Sequence, residues 1–318
     1  MARAANRGVI GDVLAAILER RGGAAVNPAT RTALGTMLLA AIEDNFPPER
    51  GLLRDALAES TLPPGMRMVA RATRAAWSRE WLLRRLEREH PGTWAGIACR
   101  KRCIDELLVT ALDAGVGAVV SLGAGLDTRA YRLGRPGVAY YEVDLPVNIA
   151  RKRAWCERRL GGPPPEVQLV PVDFDRQDLG AALASHGLRM DAPVLFIWEG
   201  VTQYLQETGV RATFESLARA PAGSRLVLSY VLRDFISGAD DHGLPGLYRR
   251  LVVQQRLWHF GWQPDEVAPF LAGYGWRVAE QIGAPEFMAR YVQPTGRAMT
   301  VMAIERLAVA EKTGERAG

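Results

Sequence analysis

From Ala118 onward, short β-type runs alternate with helical stretches, and that alternation leaves few folds open to the chain. Ala118-Val-Val-Ser-Leu122, Ala139-Tyr-Tyr-Glu-Val143, Val167-Gln-Leu-Val-Pro-Val172, Val194-Leu-Phe-Ile-Trp198 and Arg225-Leu-Val-Leu-Ser-Tyr230 read as five strands. Ile149–Leu160, Leu179–His186 and Thr208–Ala220 read as helices between them. Strands joined through helices form βαβ units, so the expected class is α/β with a doubly wound, mostly parallel sheet. Trp276-Arg-Val-Ala and Met299-Thr-Val-Met-Ala-Ile304 are candidates for two closing strands. The segment from Asp234 to Gly261 is an insertion near the carboxyl edge of the sheet, where such segments commonly cover a ligand.

The first hundred residues are helical in pattern. Val9 to Leu18 and Leu34 to Ile42 place apolar side chains three and four apart. Met66 to Glu89 reads as one long arginine-rich helix carrying Trp77, Trp81 and Leu82, stopped by His90-Pro91-Gly92. Ile97 to Ala114 reads as another. The expected organisation is a helical subdomain over residues 1–96, the α/β domain over 97–306 with its insertion at about 234–261, and a polar tail over 307–318.

Charge and cysteine usage exclude some functions. The chain carries +5 overall, and residues 67–102 alone hold nine Arg and one Lys against three Glu. Lysine occurs only at Lys101, Lys152 and Lys312. Such a stripe is expected to be a solvated helix face or to meet an acidic partner. Basic runs interleaved with aromatics are missing, so nucleic acid is not an expected partner. The apolar runs fall far short of the roughly 20 residues a membrane span needs, and no signal peptide opens the chain. No membrane partner and a cytoplasmic location are expected. Cys99 and Cys103 share a helix face, but no second Cys/His pair follows at zinc spacing, so buried thiols rather than a metal site are expected for these and Cys156.

Ser121-Leu-Gly123-Ala-Gly125-Leu-Asp-Thr128 lies where the first strand turns into a helix. Glycines there let a ligand approach the backbone, and a helix start offers amides. A dinucleotide fingerprint would need a third glycine where Thr128 stands, which weakens a nicotinamide reading. Glu142 and Asp144 end the second strand, where a carboxylate can accept both hydroxyls of an adenosine ribose. A nucleoside cofactor follows.

Ser121 to Arg132, with its string Gly-Ala-Gly-Leu-Asp-Thr-Arg, resembles the first cofactor motif of the leucine carboxyl methyltransferase family, which includes bacterial O-methyltransferases of the tetracenomycin polyketide type. Tyr141-Glu-Val-Asp-Leu-Pro146, Phe196-Ile-Trp-Glu-Gly-Val-Thr-Gln-Tyr-Leu205 and Cys99-Arg-Lys-Arg-Cys-Ile-Asp105 resemble three more of its motifs, and the likeness runs from about 97 to 306. The resemblance implies a Rossmann-like fold that binds S-adenosyl-L-methionine (SAM), with the first 96 residues as lid and acceptor pocket. It implies that Gly123 and Gly125 pass under the cofactor's amino-acid portion and that Arg100 pairs its carboxylate. It further implies Asp144 on the ribose, Asp178 and Leu179 at the adenine with Asp173 or Asp175 as substitutes, Glu199 facing the ammonium, and Tyr204 lining the methyl-transfer pocket. A second basic residue at the carboxylate has no evident lysine, which leaves Arg71 or Arg74. Asp127 and Arg129 are expected to pair structurally.

Methyl transfer to a carboxylate is an in-line displacement by an anion already formed, so it needs alignment and water exclusion rather than a base. A small-molecule or peptide carboxylic acid giving a methyl ester is therefore the expected acceptor. A phenolic polyketide acceptor is second; it would need a base, for which His242 and His259 are the candidates. A nicotinamide oxidoreductase and a non-catalytic SAM-binding protein are the readings from other classes. A homo-oligomer stays open.

Overall fold

The computed structural model describes residues 28–174 and 176–313, so the helix expected over Val9 to Leu18 and the substitute Asp175 lie outside the described residues. Seven strands form one sheet in the order β3-β2-β1-β4-β5-β7-β6. They are β1 (Ala118–Leu122), β2 (Ala139–Asp144), β3 (Val167–Pro171), β4 (Val194–Trp198), β5 (Arg225–Val231), β6 (Trp276–Ile282) and β7 (Glu305–Lys312). The first five are parallel, and β7 runs antiparallel between β5 and β6. β4 is buried along its whole length, as a central strand covered on both faces must be, hence its unbroken apolar spelling.

Two expectations at the C-terminal end are corrected. Met299 to Ile304 forms no strand, and residues 305–312 are no tail but the strand that pairs with both β5 and β6. Leu307, Ala308 and Ala310 face the core, and Lys312 ends the strand with its Nζ donating to the Tyr274 and Gly275 carbonyls. The α/β domain thus reaches Lys312.

On the N-terminal side, helices α1 (Pro28–Glu43), α2 (Pro64–Ala72), α3 (Ala76–Glu89) and α4 (Thr93–Asp113) stand before β1. The long helix expected over Met66 to Glu89 is interrupted at Thr73–Ala75. Side chains there take over from the helical ladder: Thr73 Oγ1 donates to the Ala70 carbonyl, Ser78 Oγ to Ala72, and Arg79 Nη1 to Thr73 and Asn45. These helices are no separate body. Met37, Leu52, Leu82, Ala98 and Leu112 share one buried cluster with Val119, Leu195 and Leu307 of the sheet.

A buried ion pair fastens this roof. The Glu43 carboxylate is fully buried and accepts both oxygens' worth of hydrogen bonds from Arg297 Nη1 at 2.9 Å, one from the Leu52 amide at 2.9 Å and one from Trp94 Nε1 at 2.5 Å. Removing one partner leaves the other charge uncompensated inside. Glu43→Ala should cost about 3–5 kcal/mol of stability, read by urea unfolding. A loss under about 1 kcal/mol would show that Arg297 relaxes to solvent instead.

Candidate active site

A cavity of about 760 Å³ opens at the carboxyl ends of β1, β2 and β4. That is the switch point of the sheet, where the strand order reverses from β1 to β4 and loops diverge to leave a crevice. Its floor is the turn after β1. Gly123 has φ of +70° and Gly125 of +43°, a region that favours glycine. A Cβ on Gly123 would sit 2.3 Å from Val201 Cγ2, whereas one on Gly125 would meet nothing nearer than 3.8 Å. The turn supplies room rather than donors. The amides of Gly123 and Ala124 donate to the Val143 carbonyl and that of Gly125 to Asp144 Oδ2. The helical segment that follows the turn is short, spanning only Arg129–Arg132.

Six of the expected site residues come together: Arg100, Gly123, Gly125, Asp144, Glu199 and Tyr204 all line the cavity. Glu142 does not; Lys152 Nζ donates to it at 2.8 Å and the Tyr131 hydroxyl at 2.6 Å, deep in the core. Asp144 does two jobs. Its Oδ2 holds the Gly125 amide at 2.6 Å, and its Oδ1 holds the Leu145 amide and Asn148 Nδ2 at 2.7 Å. Oδ1 has both lone pairs taken, and Oδ2 keeps one for a further donor.

Glu199 and Arg100 are locked together rather than free. Arg100 Nε donates to Glu199 Oε1 at 2.9 Å, and its Nη1 donates to Glu305. Arg129 Nη1 donates to Glu199 Oε2 at 2.6 Å and to Asp127 at 2.8 Å, and its Nε donates to Asp105 at 2.6 Å. The structural pairing of Asp127 with Arg129 is therefore present. Burial opposes the charge on every member. Yet Arg129, Lys101 and Arg100 hold the Glu199 carboxyl well below its ordinary value, and Arg129 and Lys101 bring Asp127 to about 2. Among the described residues Arg100 Nη2 has no hydrogen bond, so its two N–H groups are left for a ligand.

Other expectations are corrected. Asp178 and Leu179 lie outside the cavity lining. Asp178 caps the helix Leu179–Ser185 by accepting from the Ala181 amide at 3.0 Å, and Leu179 is buried in the core on one sheet face. Asp173 and Phe174 line the cavity at that end. Arg71 and Arg74 lie away from it, exposed and paired to Glu59. Lys101 is the cation found instead: it is buried, lines the cavity, and has only Glu199 at 3.9 Å as ionic partner among the described residues. In the sequence it was one basic residue among ten. His242 pairs with Asp234 at 3.0 Å outside the lining, while His259 lines the cavity. His90, legible only as a helix stop, also lines it; burial and the charge of Arg250 lower its pKa, leaving a neutral imidazole at pH 7. Cys99 and Cys103 are buried thiols, and burial pushes Cys99 up to about 12.

Much of the lining supplied by α3, α4 and the insertion is apolar. Leu82 and Leu86 of α3, Trp94 and Ile97 of α4, and Leu247, Leu251 and Trp258 of the insertion form its walls. The insertion does cover the site. Tyr204 closes one side, its ring edge-on to Trp258 and its hydroxyl donating to Thr32 of α1 at 2.9 Å.

A sheet of this order with a glycine turn and a carboxylate at its switch point defines the Rossmann-like fold of the SAM-dependent methyltransferases. Structural likeness agrees on the fold: a methyltransferase from Thermobifida fusca superposes with a TM-score of 0.54 over 86% of this chain and 94% of its own, at 15% identity. A DUF574 family protein from Streptomyces avermitilis does so with 0.53 over 86% and 96%, also at 15% identity. The leucine carboxyl methyltransferase family model matches residues 33–218, more than half of the chain, and the chain belongs to that family. Similar sequences include a protein of Mycobacterium avium described as a SAM-dependent methyltransferase, 34% identical over 58% of this chain and 64% of its own length. Another from Mycolicibacterium gilvum, with the same description, is 36% identical over 63% and 66%. The match thus spans slightly less than two thirds of these relatives.

Because the Asp127 pKa is depressed from the ordinary value of about 3.9 to about 2, its contribution to stability is present above the unfolded value and lost as pH falls through the folded one. Stability should therefore fall steeply from about pH 4 downward, and Asp127→Asn should flatten that slope. Urea unfolding at a series of pH values checks this; an unchanged slope would assign the acid sensitivity elsewhere.

Proposed function

We propose that this protein is a SAM-dependent O-methyltransferase that esterifies a small-molecule or peptide carboxylic acid. The observation that carries the methyltransferase reading is the Gly123–Gly125 turn, pinned by Asp144 and opening onto a cavity lined by charged side chains and by the apolar walls of α3, α4 and the insertion. The residues fit SAM. Asp144 Oδ2 has one acceptor site left for a ribose hydroxyl, Gly125 leaves room for the chain of the amino acid, and Lys101 with Arg100 Nη2 offers donors to its carboxylate. SAM, when bound, supplies a methyl group on a sulfonium. Glu199 acts by holding Arg100 and Arg129 in place, and the apolar walls exclude water.

The family's description names a carboxyl acceptor, and Lys101 and Arg250 put positive charge along the lining. The arginine stripe no longer supports an acidic acceptor, because Arg84 and Arg88 are exposed on the surface. A phenolic acceptor is the second reading, favoured by the neutral His90 in the same cavity. The two differ in pH dependence. A carboxylate acceptor gives kcat/KM without a limb near the His90 pKa, whereas a phenol deprotonated by His90 loses rate as pH falls through it.

Purified protein should bind SAM and not NAD, measured by calorimetry; NAD binding without SAM binding would sink the proposal. Lys101→Met should weaken SAM on the order of tenfold, as expected on loss of a charge-assisted hydrogen bond. It should leave 5′-methylthioadenosine, which lacks the carboxylate, nearly unchanged. Arg100→Lys should weaken both ligands through the Glu199 and Glu305 contacts it loses. Equal losses for both ligands in Lys101→Met would remove Lys101 from the carboxylate.

A further inference from the structure

We propose that the outward face of helix α3 docks the protein on an anionic lipid surface. Trp77, Trp81, Arg84 and Arg88 follow at spacings of four, three and four, which places them in one stripe along the helix. The opposite face is the one that folds the protein: Ser78, Arg79 and Leu82 are buried. Trp77 is 76% exposed and Trp81 40%, and Met68 on α2 is exposed to 71%. Two indoles on an exposed helix face lose hydrophobic stabilisation unless something covers them.

Charge decides what covers them. Glu80 lies 3.9 Å from Arg84 and offsets part of its charge, and Glu89 is taken by Arg85 at 3.0 Å, which leaves Arg88 as the cation of the stripe without an acidic partner among the described residues. Arg88 uses its Nε only on the Arg84 carbonyl. A lipid surface satisfies the whole stripe at once. Indole rings sit at the depth of the headgroups with their N–H in the wet layer, and arginines keep their heads at the phosphates. The net charge of +5 draws the protein to such a surface.

The inner side of the same helix supports this. Leu82 and Leu86 belong to the apolar lining of the cavity, so α3 separates that chamber from whatever lies outside the Trp77–Arg88 stripe. No helix among the described residues is long and apolar enough to cross a membrane, and a helix lying on the surface needs no such length.

Sedimentation of the full chain with vesicles tests the proposal without reference to methyl transfer. The protein should pellet with phosphatidylglycerol vesicles at low salt and not with phosphatidylcholine, and high salt should release it. Trp77→Ala with Trp81→Ala should weaken binding on the order of tenfold or more, and Arg84→Glu with Arg88→Glu should abolish it. Both pairs should unfold thermally like the parent and bind SAM or its analogue equally, which separates lost docking from lost folding. Equal pelleting with both lipids, or variants that pellet like the parent, would overturn the proposal. So would a lipid-free dimer in sedimentation velocity that the Trp variants dissolve, or tight binding to polyglutamate with none to vesicles.

Discussion

The Glu199 carboxylate, held between Arg100 and Arg129, is the interaction on which the site depends. It stands at the end of β4, and its two arginines come from α4 and from the turn after β1. Arg129 continues the chain of charges to Asp127 and Asp105, and Arg100 continues it to Glu305 at the start of β7. Four separate pieces of chain are therefore fixed to one another beside the glycine turn. Buried ion pairs gain little net stability, because desolvation offsets attraction, but removing one member is costly. What such a cluster does secure is geometry. The glycine turn, Lys101 and the end of β4 are set before any ligand arrives, which is what a displacement with strict alignment needs.

The roof above this cluster sets what enters. Helices α1 to α4 share their hydrophobic core with one face of the sheet, so the cavity walls they supply are as firmly placed as the strands. The remaining walls come from Leu247 to His259 and from Met302 to Glu305. These lie beyond residue 218, where the match to the family model ends. The charged lining beside the glycine turn belongs to the shared motifs, and much of the apolar lining belongs to segments outside them. Cofactor class follows from the first and acceptor identity from the second.

Period and chemistry explain which features were legible in the sequence. The strands from Ala118 to Val231 announce themselves as apolar runs between turn residues, and their positions agree to within a residue or two. β7 hid because Leu307-Ala-Val-Ala310 is small in volume and flanked by charges, although as a strand between two others it needs little bulk. Asp178 shows the limit of spelling, because a carboxylate opening a helix reads alike whether it meets a ligand or a backbone amide; in the structure its Oδ1 accepts from the Ala181 amide. Lys101 and His90 were hidden by their neighbours, one in a run of basic residues and the other in a helix-stopping triplet. Their burial beside the cavity depends on how α3 and α4 pack, which no local pattern records.

The division of the cavity also bears on the acceptor. In methyl transfer from a sulfonium to a carboxylate, a positive and a negative charge disappear together, so the transition state is less charged than the reactants. Water stabilises the separated charges more than the state in which they merge. Walls such as Leu82, Leu86, Trp94, Leu247, Leu251 and Trp258 withhold that stabilisation. A neutral phenol gains no such advantage, since its proton must leave and its charge must form within the same walls, where His90 and His259 are the histidines among the described residues that line the cavity. Under the carboxylate reading proposed above, these walls favour the step in which the two charges merge.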